Sequence, residues 1–202
     1  MTIPDAELVK PPQSRRGQGL SWVTVEPAVD WQAGPGRVFV KHQQGYWCRP
    51  IWRLFRRTPL LLRELRGLRA CQRMSVRVPE IVDYQDDGLC STLILAEVSN
   101  SQPLDEALAR HDADREAIIS HVAQLIGGLH RAGWSHGALY PQHLLISRDD
   151  DRSVTLIDLE KARRNPFKRG ADLARFWRHA PALSESEKAQ FASHYQLARR
   201  SR

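Results

Sequence analysis

His136-Gly137-Ala138-Leu139-Tyr140-Pro141-Gln142-His143-Leu144-Leu145-Ile146 and, one turn later, Val154-Thr155-Leu156-Ile157-Asp158-Leu159-Glu160-Lys161-Ala162-Arg163 decide how the rest of the chain is read. Residues 143–147 and 153–158 are short apolar runs on either side of Asp149-Asp150-Asp151, the pattern of two strands joined by a turn. The first quoted stretch carries two histidines, His136 and His143, and the second strand ends in an acid. An aspartate that directly follows an apolar run is not an ordinary exposed turn residue, and a carboxylate at a strand end suits a hard cation.

Outward from this hairpin the pattern is helical on both sides. Ile118, Ile119, Val122, Leu125, Ile126 and Leu129 line one face of a helix that stops near Gly133. Residues 172–179 form another, and Ser184 with Glu187 makes a capping box before the last helix. The first half reads differently. Residues 21–26 and 37–42 alternate as strands, and Leu61, Leu62, Leu65 and Leu68 follow Pro59 at helical spacing. Residues 79–84 and 91–98 are strands around the turn Asp86-Asp87-Gly88. Residues 1–19, polar and holding three prolines, are expected to be a flexible tail. The expected class is α+β, with a β-rich lobe over 20–98, a hinge at 99–103 and a helical lobe over 104–202.

Strand lysine, helix glutamate, hinge, long helix, histidine loop and a hairpin ending in aspartate follow one another as in the compact two-lobed protein-kinase fold. The two quoted stretches resemble those of the lipopolysaccharide core-sugar kinase family, which phosphorylates heptose or Kdo. They look most like its weak-acid-inducible InaA branch. Arg63-Glu64-Leu65-Arg66 and Val78-Pro79-Glu80 resemble the family's first lobe, so the resemblance runs over roughly 37–177. It implies ATP and Mg²⁺ as cofactors. Lys41 would reach the α- and β-phosphates, with Glu64 fixing its position, and Asp158 would bind the metal. Lys41, Asp158 and His136 are the candidate catalytic set, His136 as a brace for the metal turn. His143 is the second candidate metal residue, although imidazole is a poor ligand for Mg²⁺. Glu97 and Val98 would offer hinge backbone groups to adenine. Asp172 resembles the buried aspartate that holds the histidine loop.

Two departures leave a second reading open. The catalytic-base position, two residues after His136, is Ala138, which can accept no proton. Gly34 and Gly36 do not make a phosphate-covering loop before Lys41. A catalytically impaired pseudokinase, serving as a stress-linked binding or sensor protein, is therefore the alternative. Glu160 is a nearby carboxylate with no assigned role.

The charge is lopsided. Nine arginines and one acid, Glu64, lie in 49–79, a balance of +8 in a chain whose total is +7. A second cluster is Lys161, Arg163, Arg164, Lys168 and Arg169. Arginine forks suit phosphate and carboxylate, so core sugars, an anionic glycolipid or the inner membrane surface are the expected partners. Nucleic acid is not expected, because neither a helix-turn-helix pattern nor interleaved aromatics accompanies the charge. Three scattered cysteines argue against a disulfide scaffold, and no apolar run is long enough to span a bilayer. A cytoplasmic protein, peripheral at most, is expected. Nucleophile-elbow, HExxH and P-loop patterns are missing.

Overall fold

The computed structural model describes residues 7–15, 18–48, 54, 57–110, 114–180 and 183–200, without the side chains of residues 15 and 18. Two compact units divide the chain: Met1–Arg66 with Pro79–Glu97, and Gly67–Val78 with Val98–Arg202.

The first unit is built on a five-stranded antiparallel sheet. Its strands are β1 (Glu7–Arg15), β2 (Gln18–Pro27), β3 (Arg37–Gln44), β6 (Ile81–Asp86) and β7 (Cys90–Ala96), in the order β1-β2-β3-β7-β6. A minor ribbon pairs β4 (Trp47–Cys48) with β5 (Thr58–Pro59), and α1 (Leu60–Arg73) follows at once. Val38 and Val40 alternate onto one face of β3 and pack with Ala28 and Ile94, all nearly inaccessible. Period-2 alternation therefore turns Lys41 and Gln43 to the other face, where Gln43 Oε1 accepts the Leu61 N–H at 3.1 Å and fixes the start of α1.

The expected tail over 1–19 is corrected by β1. Its side chains are exposed on both faces, so no alternation marks it, and Pro11 and Pro12 mask it further. Prolines are tolerated on a sheet edge, and β1 is the edge strand beside β2. Residues 1–6 lie outside the described residues, as do Arg49, Arg53 and Arg56 of the arginine-rich stretch.

The second unit is mainly helical: α2 (Leu104–Ala109), α3 (Arg115–Arg131), α4 (Arg169–His179) and α5 (Glu185–Arg200). Its small sheet orders β11 (Val154–Leu156), β10 (Leu144–Ser147) and β8 (Ser101–Pro103), while β9 (Trp134–Ser135) pairs with β12 (Arg163–Arg164). Both β8 and α2 fall where only a connector and a helical stretch of unspecified start were expected; three-residue strands carry too little pattern to be read. Buried Ile118, Ile119, Val122, Ile126 and Leu129 form the expected face of α3.

The capping box forms as the spacing requires. Ser184 N–H donates to Glu187 Oε2 at 2.7 Å, and Glu187 N–H to Ser184 Oγ at 3.3 Å. Glu187 also receives Arg115 Nε at 2.6 Å, which ties α5 to α3. The Arg115 hydrogen bond, helped by Ser184, holds the Glu187 carboxyl down at about 2. A depressed carboxyl stabilises the fold fully above the ordinary glutamate range and loses that contribution as pH falls towards 2. Glu187→Gln is thus expected to flatten the acid limb of a stability-against-pH curve while lowering stability at neutral pH, measured by urea denaturation at stepped pH.

Candidate functional site

In the first unit, Lys41 sits between β2 and β7, opposite Val23 and Leu93. Its ammonium lies 2.5 Å from Glu64 Oε1, and the Glu64 side chain is 2% exposed against 23% for Lys41. The sequence pairing of these two residues is realised. The buried end is the carboxylate, so the lysine is the end that other groups can reach. Glu97 ends this unit with its N–H on Arg37 O at 3.0 Å and its carboxylate in a fork with the Arg37 guanidinium, at 2.6 and 3.1 Å. In the second unit, Val98 O accepts the Ser101 hydroxyl at 2.7 Å.

The histidine loop is held by its own backbone and by α4. His136 is fully buried. Its Nε2–H donates to Ile157 O at 2.9 Å, and its Nδ1 accepts the Ala138 N–H at 3.2 Å. Burial pushes its pKa below the usual range, with repulsion from His143 adding to the effect and the Ile157 carbonyl opposing it. Both ring nitrogens are thereby committed to backbone, and His136 is a neutral brace on the turn that carries Asp158. Its geometry is that of a positioning residue.

His143 spans the same loop. Nδ1–H donates to Ala138 O at 2.8 Å, and the His143 carbonyl receives the Ile157 N–H at 3.0 Å. His143 Nε2 lies 3.4 Å from Asp158 Oδ2. Tyr140 packs edge-on against the ring, with centroids 5.4 Å apart. Asp158 itself adopts the left-handed conformation, φ 57° and ψ 60°. A non-glycine residue held there costs energy and is found where the surroundings over-determine it, often at functional sites. Here Ile157 is pinned on both sides by His136 and His143, and Leu159 is buried immediately after. The turn leaves the Asp158 side chain 40% exposed.

An imidazole nitrogen this close to a carboxylate can share a proton with it or face a metal cation together with it. Asp158 supplies a hard oxygen suited to Mg²⁺ and His143 a weaker nitrogen. Mg²⁺ commonly takes only one or two carboxylates and completes its shell with water and phosphate, so a single aspartate with one neighbour is an adequate set. Among the described residues no cluster of three or more His, Cys, Asp or Glu side chains could hold a metal alone.

Asp172, 1% exposed, fastens the loop from α4. Oδ2 accepts the His136 N–H at 2.6 Å and Oδ1 the Gly137 N–H at 2.9 Å, while Arg175, one turn on, donates to Gly137 O at 2.9 Å. Gly137 has φ +79°, and a Cβ there would sit 2.6 Å from Lys161 O, so only glycine fits between the clamp and the turn after Asp158. Burial opposes ionisation of Asp172, but bonds from His130, Gly137 and His136 outweigh it and hold the carboxyl below its usual range. Sequence reasoning missed the third supporter. His130 Nε2 lies 3.4 Å from Asp172 Oδ2, and its Nδ1 accepts the Tyr195 hydroxyl at 2.8 Å, so α5 and α3 back the clamp. A buried His and Tyr 65 residues apart leave no local signal. From the other side, α1 meets the same turn, since a Cβ at Gly67 would lie 3.1 Å from Leu159 Cβ.

Gly34 and Gly36 belong to the β2–β3 connection. There Ala28–Trp31 forms a 3₁₀ turn, Trp31 Nε1 donates to Glu26 Oε2 at 2.8 Å, and Ala33 packs on the Val38–Val40 core. That connection is folded onto its own sheet. Residues 16 and 17, between β1 and β2, lie outside the described residues.

A sequence profile described as "Lipopolysaccharide kinase (Kdo/WaaP) family" matches residues 5–195. Protein InaA of Escherichia coli (strain K12) is 26% identical over 116 residues, which are 52% of this chain and 54% of that protein. The match thus spans about half the length of that curated relative. Among solved structures, an aminoglycoside-3'-phosphotransferase of type VIII superposes with a TM-score of 0.60 and 16% identity, over 96% of this chain and 87% of that one. At that identity the likeness establishes the fold, and the fold is the expected α+β kinase-like one.

Proposed function

We propose that this chain, which belongs to the lipopolysaccharide kinase (Kdo/WaaP) family, transfers the γ-phosphoryl group of ATP to a hydroxyl of a lipopolysaccharide core sugar, heptose or Kdo. The single observation that carries the reading is the Lys41–Glu64 pair, a lysine held by an almost wholly buried carboxylate in a chain of this family. Lys41 steadies the α- and β-phosphates. Glu97 and Val98 offer hinge backbone groups to the adenine edge. Asp158, with His143 beside it, would hold Mg²⁺, whose charge offsets that of the β- and γ-phosphates when bound. The P–O bond to the β-phosphate oxygen breaks as the sugar oxygen bonds the phosphorus. ADP leaves, and the hydroxyl proton passes to solvent.

Ala138 favours a second reading, a binding or sensor protein without turnover. Its methyl group is 4% exposed, and its N–H and C=O are both spent on His136 and His143. No carboxylate stands at that position to take the proton. General-base catalysis is worth about 10²- to 10⁴-fold, and phosphoryl transfer depends chiefly on positioning, so slow turnover is compatible with alanine.

Calorimetry with Mg-ATP and a coupled ADP-release assay on a core-sugar acceptor separate the two. Wild type is expected to bind Mg-ATP, and Asp158→Asn to weaken binding at least tenfold in the presence of Mg²⁺. Wild-type turnover that vanishes in Asp158→Asn supports the kinase. Binding without turnover, with activity gained in Ala138→Asp, supports the sensor, and no Mg-ATP binding at all removes both nucleotide readings.

A further inference from the structure

Phe167 is the most exposed large apolar side chain among the described residues, at 93%. Single exposed apolar residues are ordinary, and what sets this one apart is its mounting. It crowns the 3₁₀ turn Pro166–Lys168, in which Asn165 Oδ1 caps the Phe167 N–H at 3.1 Å. Lys168 N–H returns to Asn165 O at 3.2 Å, and Arg169 Nε donates to Pro166 O at 2.7 Å. The ring is therefore held outward by a braced backbone and does not project from a fraying loop. Within four residues of it in sequence are exposed Arg163, Arg164 and Lys168, and residues 161–171 contain five cations and no acid. Half-buried Trp134 lies opposite Arg164 in the β9–β12 pair, which adds an amphipathic ring at the base of the turn.

We infer that this turn is a membrane-docking wedge for an anionic lipid surface, with Phe167 entering the acyl boundary and Arg163, Arg164 and Lys168 at the headgroups. An apolar apex above a collar of cations matches the two layers of such an interface, hydrocarbon beneath negative charge. A nucleic-acid platform would instead need a row of stacking rings along a groove, and here a single ring projects. The position has a consequence for the candidate site. Arg163 pairs with Ser135, the residue before His136, and lies five residues after Asp158. Docking would therefore bring the loop and metal turn of this unit to the lipid surface where a glycolipid acceptor resides, and in this respect the inference rests on the reading above.

The test is sedimentation of the full chain with mixed phosphatidylglycerol–phosphatidylcholine vesicles, against phosphatidylcholine alone, with Mg-ATP calorimetry on every variant. Wild type should bind the anionic vesicles, less so as salt rises. Phe167→Ser should weaken that binding roughly tenfold. The Arg163→Gln/Arg164→Gln/Lys168→Gln variant should weaken it roughly a hundredfold at low ionic strength. All these side chains are exposed, so thermal unfolding should be unchanged and confirms folding. Equal binding of Phe167→Ser and wild type would overturn the wedge and leave bare electrostatic adsorption. Equal binding to neutral vesicles, or loss by Phe167→Ser of affinity only for single-stranded RNA or for soluble sugar acceptor, would overturn the lipid assignment. Vesicle binding by a wild type that takes no Mg-ATP sinks the kinase reading and leaves the wedge standing.

Discussion

Asp172→Ala is expected to lower the unfolding free energy by about 3–5 kcal/mol, the range for removing one partner from a buried charged network. For a chain of this size that corresponds to a fall in melting temperature of roughly 10 °C. The carboxylate accepts from the His136 and Gly137 amides and from the His130 ring, all within the second unit, so three donors lose their acceptor together. None of the three can turn to solvent, because His130 and His136 are 0% exposed and Gly137 is wedged against Lys161 O. Asp172→Asn keeps the shape but offers one donor where the carboxylate had an acceptor, and should cost about half as much. Hydrogen exchange gives the local readout: the His136 and Gly137 amides should speed up more than those of β10. The pH dependence has a fixed sign. The native carboxyl is held below its usual range, so its contribution is full above the ordinary aspartate range and fades as pH drops beneath it. The wild-type advantage over Asp172→Asn should therefore shrink on acidification. An advantage that grew would contradict the clamp.

The same network explains what the sequence could and could not reveal. The elements that carry Lys41, Glu64, Asp158 and Asp172 were legible because each has a strong local pattern: a β-branched strand, a leucine-spaced helix, an apolar hairpin, the start of a helix. The helix boundaries of α1, α3 and α5 followed from Pro59, Gly133 and the Ser184–Glu187 box, which act within one turn. What escaped depends on tertiary neighbours. β1 has no buried face, so only its pairing with β2 makes it a strand. His130 and Tyr195 meet across 65 residues through the packing of α3 on α5. The left-handed backbone of Asp158 is imposed by two hydrogen bonds on Ile157, which no propensity encodes. Phe167 is a single apolar residue in a polar stretch, and only the capped turn beneath it sets it apart.

Lys41→Met is expected to cost about 3–5 kcal/mol of stability and to weaken Mg-ATP binding, and the two losses can be separated. Removing the ammonium leaves the Glu64 carboxylate, 2% exposed, without the cation 2.5 Å away, and breaking a buried pair from one side carries that penalty. Removing both charges does not. Lys41→Met/Glu64→Gln should recover most of the lost stability in a denaturation cycle, because a buried pair replaced on both sides is often close to neutral. Binding behaves differently if the lysine serves phosphate. The double variant, folded as well as wild type, should still bind Mg-ATP at least tenfold more weakly, since no cation remains at position 41. Recovery of both stability and nucleotide affinity would mean that Lys41 exists only to neutralise Glu64. Glu64→Gln alone refines the point. It keeps the ammonium but releases it from its anchor, so nucleotide affinity should fall less than in Lys41→Met, with the difference measuring what the buried carboxylate contributes by holding the lysine in place.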